Sequence, residues 1–543
     1  MKVAIAQIGT DPGNFTNNKS KILDYIERAK KLGAELVVFP EGALQGYAHL
    51  DLILKKDFLV EVKRHLAELA QMVEGITAVI GFVDQEVNEL GPNDKPVLYN
   101  SLAIISDRKI KAIIDKTLLP EYDIFSEARY FTKGKRNSIL QLSSTAIGLG
   151  ICEDLWSEGY KQNIYEEHIK NKASLLVNAS ASPYNLGKDR ERYDLISNIT
   201  VKNSLPFIYA NLVGSYDGYD GEVVFDGRSM VFNKHGKLCA MAKSFEEDLI
   251  IADIDSAKEI EFQEIEDDIE LTKALILGIR EYFRRTNLKT AYIGLSGGID
   301  SALVVALCVM ALGRDNVVAV TMPSHITSSE TLNDSHLLAK NFGIRIDERS
   351  IKNEYLAWLN DFKEKFKIEP ESLTKQNKQA RIRGSILMEY TNQDRKGLVV
   401  STGNKTELAL GYCTLYGDMC GGLSAISDLS KERVYLLAKY INKYFKSEVI
   451  PKTIIDRIPT AELEEGQTDR ANLPADYDII SPLVDDVVER ELSLEDLYKK
   501  YNQQIVDRTI RLININEFKR RQATPGIRVT KKAFGIGRRV PIA

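Results

Sequence analysis

Short apolar runs alternate with amphipathic stretches along the chain. Residues 3–8, 35–39, 78–83, 98–105, 146–151, 174–177 and 206–210 read as buried strands. Residues 17–32, 59–72, 163–172 and 190–203 read as the amphipathic helices between them. Residues 258–270 break the pattern, with seven acidic residues, one lysine and no period-two alternation. This stretch is expected to be an acidic linker running into a helix, and so a domain boundary. Beyond it the alternation restarts. Helices are predicted over 271–286, 301–312 and 330–342, and strands over 290–295, 316–322 and 398–401. Strand, helix, strand at this spacing predicts a parallel, doubly wound sheet. The expected organisation is an α/β protein of two domains, 1–257 and 271–543, joined by 258–270.

Composition narrows the class. The chain has 543 residues, a formal net charge of −5, 44% hydrophobic and 27% charged residues. Near-neutrality disfavours nucleic acid or a membrane surface as partner. No stretch approaches the roughly 18 consecutive apolar residues of a transmembrane helix. The opening Met1-Lys2-Val3-Ala4-Ile5-Ala6 reads as a core strand rather than a signal peptide. Five cysteines without paired spacing predict neither a disulfide framework nor a zinc site. A cytoplasmic enzyme is the expectation.

One segment of the second half carries phosphate chemistry. Gly294, Leu295, Ser296, Gly297, Gly298, Ile299, Asp300 and Ser301 follow a predicted strand and open a predicted helix. Adjacent glycines permit positive φ and close backbone approach to a ligand. The following helix offers unpaired N–H groups to an anion, and both serines add donors. Asp300 would repel phosphate unless a cation lay between them, which points to Mg²⁺. From average composition, Ser-Gly-Gly-x-Asp-Ser arises by chance in about one chain in a thousand of this length. The spacing lacks the lysine of a P-loop kinase and resembles the pyrophosphatase loop of the ATP pyrophosphatase family. Downstream, Thr327-Ser328-Ser329-Glu330 matches a helix capping box.

The first half offers a thiol. Glu41 follows Phe39-Pro40, Lys116 follows Asp115, and Cys152 opens Cys152-Glu153-Asp154-Leu155-Trp156 after a buried strand. A thiol needs a base to become a nucleophile, and a nearby cation lowers its pKa or stabilises an oxyanion. No fixed local spacing links the three, so each alone is weak. Cys239, Cys308, Cys413 and Cys420 are expected to be packing residues.

With Asn178-Ala179-Ser180-Ala181-Ser182-Pro183-Tyr184 and Val224-Phe225-Asp226-Gly227, the first half resembles the nitrilase, or carbon–nitrogen hydrolase, superfamily. The resemblance implies an αββα sandwich, a Glu41–Lys116–Cys152 triad, and glutamine contacts at Tyr122, Ser182 and Lys188. Gly42 departs from that family's bulkier residue, and 215–221 is slightly expanded. In the second half, Ser401-Thr402-Gly403-Asn404-Lys405-Thr406-Glu407, the segment 411–418, Asn377-Lys378-Gln379-Ala380-Arg381, Pro459-Thr460-Ala461-Glu462-Leu463 and Lys519-Arg520-Arg521-Gln522 resemble the NAD synthetases. Gln376 departs from an expected Glu. By this resemblance Thr402 would join loop 294–301 at ATP. Asp300 and Glu407 would hold the metal, and Asn377, Glu407, Asp418 and Lys519 would line the site for deamido-NAD.

Together the halves resemble the glutamine-dependent NAD synthetases. The resemblance implies glutamine, deamido-NAD and ATP as substrates, Mg²⁺ as cofactor, and at least a homodimer. Because ammonium is not a nucleophile, an internal path for neutral ammonia between the two sites is expected. Another glutamine-fed ATP pyrophosphatase amidating a different carboxylate stays open at this point. A non-catalytic scaffold predicts loss of Cys152, Lys116 or Asp300, and all three are present.

Overall fold

The computed structural model describes residues 1–91, 95–255, 258–460, 462–464 and 473–542, the side chains of 87–90 excepted. Ala461, within one of the family segments, lies outside the described residues. Two compact units form. One is Met1–Tyr216 with Val224–Ile265, and the other is Asp217–Val223 with Glu266–Ala543.

The first unit is two six-stranded sheets with helices outside them. Alternation along the first strand, Lys2–Gln7, shows why. Val3 and Ile5 point into the apolar layer shared with Ile147, Leu149, Leu175 and Val177 of the other sheet. Ala4 and Ala6 point the opposite way, against Ile22, Ile26, Val62 and Leu66 of the helices Phe15–Lys31 and Lys56–Met72. The second sheet repeats the device. Leu176, Phe207 and Phe232 face Tyr165 and Ile196 of the helices Ile164–Lys170 and Lys188–Asn203. The order helix, sheet, sheet, helix follows, as the family resemblance implies. Gly42 has φ 63°, a left-handed conformation that favours glycine over the bulkier residue.

The second unit begins with the helix Asp267–Thr286, whose first turn holds Asp267, Asp268 and Glu270. Carboxylates there complement the positive end of the helix dipole, so part of the acidic run is helix start rather than linker. The sheet is mostly parallel. Thr290–Gly294 pairs with Val317–Thr321 on one side and Gly397–Ser401 on the other. Arg345–Glu348 extends one side, and Leu423–Ser424 and Gly526–Arg528 extend the other. Residues 221–223 belong here because they pair in parallel with 526–528. Strand order therefore reverses between Thr290–Gly294 and Gly397–Ser401. Ligands of doubly wound sheets bind at such a switch point, beyond the carboxyl ends of the strands. The helix Ile299–Leu312 is apolar nearly all round. It packs between this sheet and the helices Asp267–Thr286 and Lys431–Phe445.

The capping box falls one residue away from its predicted place. Thr327 Oγ1 accepts from Ser324 N at 2.9 Å, so Ser328 caps the helix Ser329–Phe342, with its Oγ accepting from Thr331 N at 3.2 Å.

Candidate active sites

In the first unit, Glu41, Lys116 and Cys152 each stand just past a strand, after Leu36–Val38, Lys109–Asp115 and Thr145–Ile151. Lys116 Nζ lies 2.9 Å from Glu41 Oε1 and 2.6 Å from Glu127 Oε1, and Lys116 and Glu41 are 1% exposed. Glu41 is further held by Asn100 Nδ2 at 2.7 Å and the Ala181 N–H at 2.8 Å. Cys152 is buried and strained, with φ 42°. Asp154 sets the frame, accepting the N–H groups of Thr117 (3.1 Å), Leu118 (2.8 Å) and Ile151 (3.0 Å). One carboxylate thereby fixes the backbone beside both Lys116 and Cys152. Burial lifts the Asp154 carboxyl to about 6, and those three donors limit the rise.

Burial and then the Glu41 carboxylate push the Cys152 thiol well up. The neighbouring Lys116 cation lowers it, as expected, but is outweighed. Burial opposes the charge on Lys116 too, but Glu127 and Glu41 outweigh it and hold the ammonium protonated. The resting thiol is neutral and needs a base in the reaction itself. Glu127, which the sequence reading missed, is pushed up by burial to about 8 despite Lys116.

Tyr122 donates from its hydroxyl to Glu153 at 2.9 Å, and Tyr160 donates to the same carboxylate at 3.0 Å. The Lys188 ammonium sits 3.8 Å over the Trp156 ring and pairs with Glu191 at 2.8 Å. The Ser182 N–H donates to Asn211 Oδ1 at 2.9 Å, and its Oγ accepts from the fully buried Arg192 at 3.2 Å. Tyr122 thus meets Glu153, the neighbour of Cys152, and Lys188 acts on that carboxylate only through its charge, while Ser182 is braced separately.

In the second unit, loop 294–301 leaves the switch point. Gly297 has φ 76°, and a Cβ there would lie 2.5 Å from the Thr331 carbonyl oxygen, so only glycine fits. Ser301 Oγ donates to Gly298 O at 3.0 Å and lies 3.2 Å from Ser296 Oγ, folding the loop on itself. Leu295 N–H donates to Val320 O at 2.9 Å. Asp300, in the first turn of Ile299–Leu312, accepts from Asn404 Nδ2 at 2.9 Å. Lys431 Nζ lies 2.5 Å from Asp300 Oδ2 and 3.0 Å from Glu407 Oε1. Burial opposes its charge, but those two carboxylates hold the ammonium well above the usual lysine range.

Thr402 follows the strand Gly397–Ser401. Asn377 Oδ1 accepts from Thr414 Oγ1 at 2.8 Å, and Asp418 Oδ1 accepts from Thr414 N at 2.7 Å. Lys519 Nζ donates to the carbonyls of Gly411 (2.8 Å) and Cys413 (3.0 Å). These residues therefore converge on the 411–418 loop. Glu407, Asp418, Cys413 and Ser401 line one small cleft. It shares Met419, Ala523 and Thr524 with a cavity of about 530 Å³ bordered by Arg381, Tyr416 and Gln522. Cys413 and Cys420 line these pockets, whereas Cys308 is core. Lys431 and Arg457, which donates to Gly297 O at 3.2 Å, were missed by sequence reasoning. Neither carries a periodic or spacing signal.

Residues 2–263 match the carbon–nitrogen hydrolase family, and 271–523 match the NAD synthase family. A glutamine-dependent NAD(+) synthetase of Synechocystis sp. is 37% identical, over 100% of this chain and 98% of its own. One from Thermotoga maritima is 34% identical, again over 100% and 98%. The solved structure of the Acinetobacter baumannii glutamine-dependent NAD+ synthetase, in complex with ADP, superposes with a TM-score of 0.79 at 34% identity. It covers 100% of this chain and 98% of that one. A structure from Cytophaga hutchinsonii, 22% identical with a TM-score of 0.85, shares the fold. On its two sites and its full-length relatives, the chain belongs to the glutamine-dependent NAD(+) synthetase family, a carbon–nitrogen hydrolase domain joined to an NAD synthase domain.

Proposed function

We infer how the residues of this chain divide the family's reaction. The chain is an amido-ligase that amidates deamido-NAD with ammonia taken from glutamine, using ATP. Cys152 is the nucleophile on the glutamine side-chain amide. Glu41 accepts the thiol proton as the C–S bond forms and passes a proton to the departing ammonia. The Lys116 ammonium offsets the oxyanion. Water then attacks the thioester, with Glu41 again as base, and glutamate leaves. Tyr122, Ser182 and Lys188 hold glutamine, with Glu153 beside them.

In the second unit the nicotinate carboxylate of deamido-NAD attacks the α-phosphorus of ATP, and pyrophosphate leaves. Ammonia then attacks the acyl carbon of the mixed anhydride, and AMP leaves. Adenylation is needed because a carboxylate is a poor acylating agent. Residues 294–301 and Thr402 hold ATP, and Asn377, Glu407, Asp418 and Lys519 line the deamido-NAD site.

The residues fit a magnesium ion. Two carboxylates from different elements converge on one ammonium, and such hard oxygen donors suit Mg²⁺ completed by phosphates and water. Among the described residues no group of three or more His, Cys, Asp or Glu is placed to hold a metal, so Asp300 and Glu407 would need those further ligands. When bound, the ion offsets charge on the phosphates and the departing pyrophosphate. Among the described residues no helix is long and apolar enough to cross a membrane. Cytoplasmic location and a homodimer complete the proposal.

The observation that carries it is the pairing of a buried Glu41–Lys116 couple with Asp300 and Glu407 at the switch point of the same chain. The test is incubation with deamido-NAD, ATP, Mg²⁺ and glutamine. NAD, glutamate, AMP and pyrophosphate are expected in equal amounts, and ADP with phosphate would contradict it.

A further inference from the structure

We propose that Asn404 is the positioning residue that aims the two carboxylates of the second unit. The inference rests on the reading that Asp300 and Glu407 hold the magnesium ion. Asn404 is fully buried. Its Nδ2 donates to Asp300 Oδ1 at 2.9 Å, and its Oδ1 accepts the Glu407 N–H at 3.0 Å. One amide therefore touches both elements, the helix Ile299–Leu312 that carries Asp300 and the short helix Lys405–Leu410 that carries Glu407. The neighbours fix its orientation. A flipped amide would set an N–H against an N–H and an oxygen against a carboxylate.

Capping explains only half of this side chain. Serine and aspartate cap about as well as asparagine, and threonine somewhat less well, so the cap requires an oxygen and not an amide. The Nδ2 donor answers a different need. Lys431 engages Asp300 Oδ2 and Glu407 Oε1, but an ammonium is a point charge that imposes little direction. Committing Asp300 Oδ1 to Asn404 leaves Oδ2 turned toward the space shared with Glu407. A carboxylate at 404 would set like charges 2.9 Å apart.

The test uses the full-length protein and Mn²⁺ as a paramagnetic probe, with ATP present and deamido-NAD and glutamine omitted. Asn404→Ser keeps a capping oxygen but cannot reach Asp300. Its melting temperature is expected to stay near that of the parent. Its Mn²⁺ affinity, read from the free-ion resonance, is expected to fall about 10- to 100-fold. The Mg²⁺ midpoint for NAD synthesis should shift in the same direction, with high Mg²⁺ restoring most of kcat. If the serine variant melts early, Asn404→Thr keeps a capping hydroxyl and more volume, with the same expected loss. Mn²⁺ affinity within twofold of the parent, beside an Asp300→Ala control that loses it, would overturn the positioning role. So would failure of both variants to fold: each keeps a capping oxygen, so the Asn404–Asp300 contact would then be structural. Undiminished Mn²⁺ binding in Asp300→Ala would instead overturn the metal reading beneath it.

Discussion

At the residue scale, buried charge sets the behaviour of the first unit. Lys116 lies between the side chains of Glu41 and Glu127, and its ammonium is what makes the burial of the Glu41 carboxylate tolerable. His49, close by, shows the opposite case. Burial lowers its pKa to about 4, against 6.5 for the free side chain, despite the raising influence of Glu41. Between those values the unfolded chain binds the proton and the folded chain does not. Stability linked to His49 is therefore fully present above pH 6.5 and is lost as pH falls toward 4, by about 3 kcal/mol. His49→Phe, whose ring suits the neighbours Phe131 and Tyr47, removes this term. Urea unfolding of parent and variant at pH 7 and pH 4.5 should show the variant gaining relative stability at the lower pH. Parallel losses in the two proteins would refute the assignment. Glu41, Lys116 and Cys152 were legible through the sequence around each, not through spacing, since Glu41 and Lys116 stand 75 positions apart. Glu127, Lys431 and Asn404 were not singled out, because a buried polar group announces itself only by its partners.

At the element scale, the loop 294–301 joins a strand to a helix that is apolar nearly all round and buried from Ile299 to Cys308 except at Asp300. In the reading proposed above, Gly297 is where that packed helix meets ATP. Gly297→Ala combines a left-handed φ with a Cβ 2.5 Å from backbone. It is expected to cost about 1–3 kcal/mol and to lower AMP formation more than tenfold. Thermal melts and a nucleotide assay check both, and wild-type values would mean that the loop's shape is not required. The strands that sequence reading found, such as 146–151, end in continuous buried runs. Arg345–Glu348, with exposed ends, and the two-residue Leu423–Ser424 gave too little pattern to be read. The capping box slipped because Thr327 had a nearer partner in Ser324, a contact no four-residue motif encodes.

At the scale of the whole molecule, the chain carries two chemistries that share ammonia. Ammonium is not a nucleophile, and most ammonia is protonated near neutral pH, so one chain holding both sites has a physical rationale. The family resemblance also leads us to expect a homodimer. Light scattering at assay concentration should give at least twice the 61.0 kDa chain mass, and a monomer would count against it. The central claim is that Cys152 releases ammonia from glutamine for a separate, ATP-dependent site. Measuring NAD formation by Cys152→Ala with glutamine or with high ammonium chloride tests it most directly. The account predicts no NAD from glutamine and near-parental NAD from ammonium. Glutamine-supported synthesis in the variant, or loss of synthesis with both nitrogen sources in a folded variant, would contradict it.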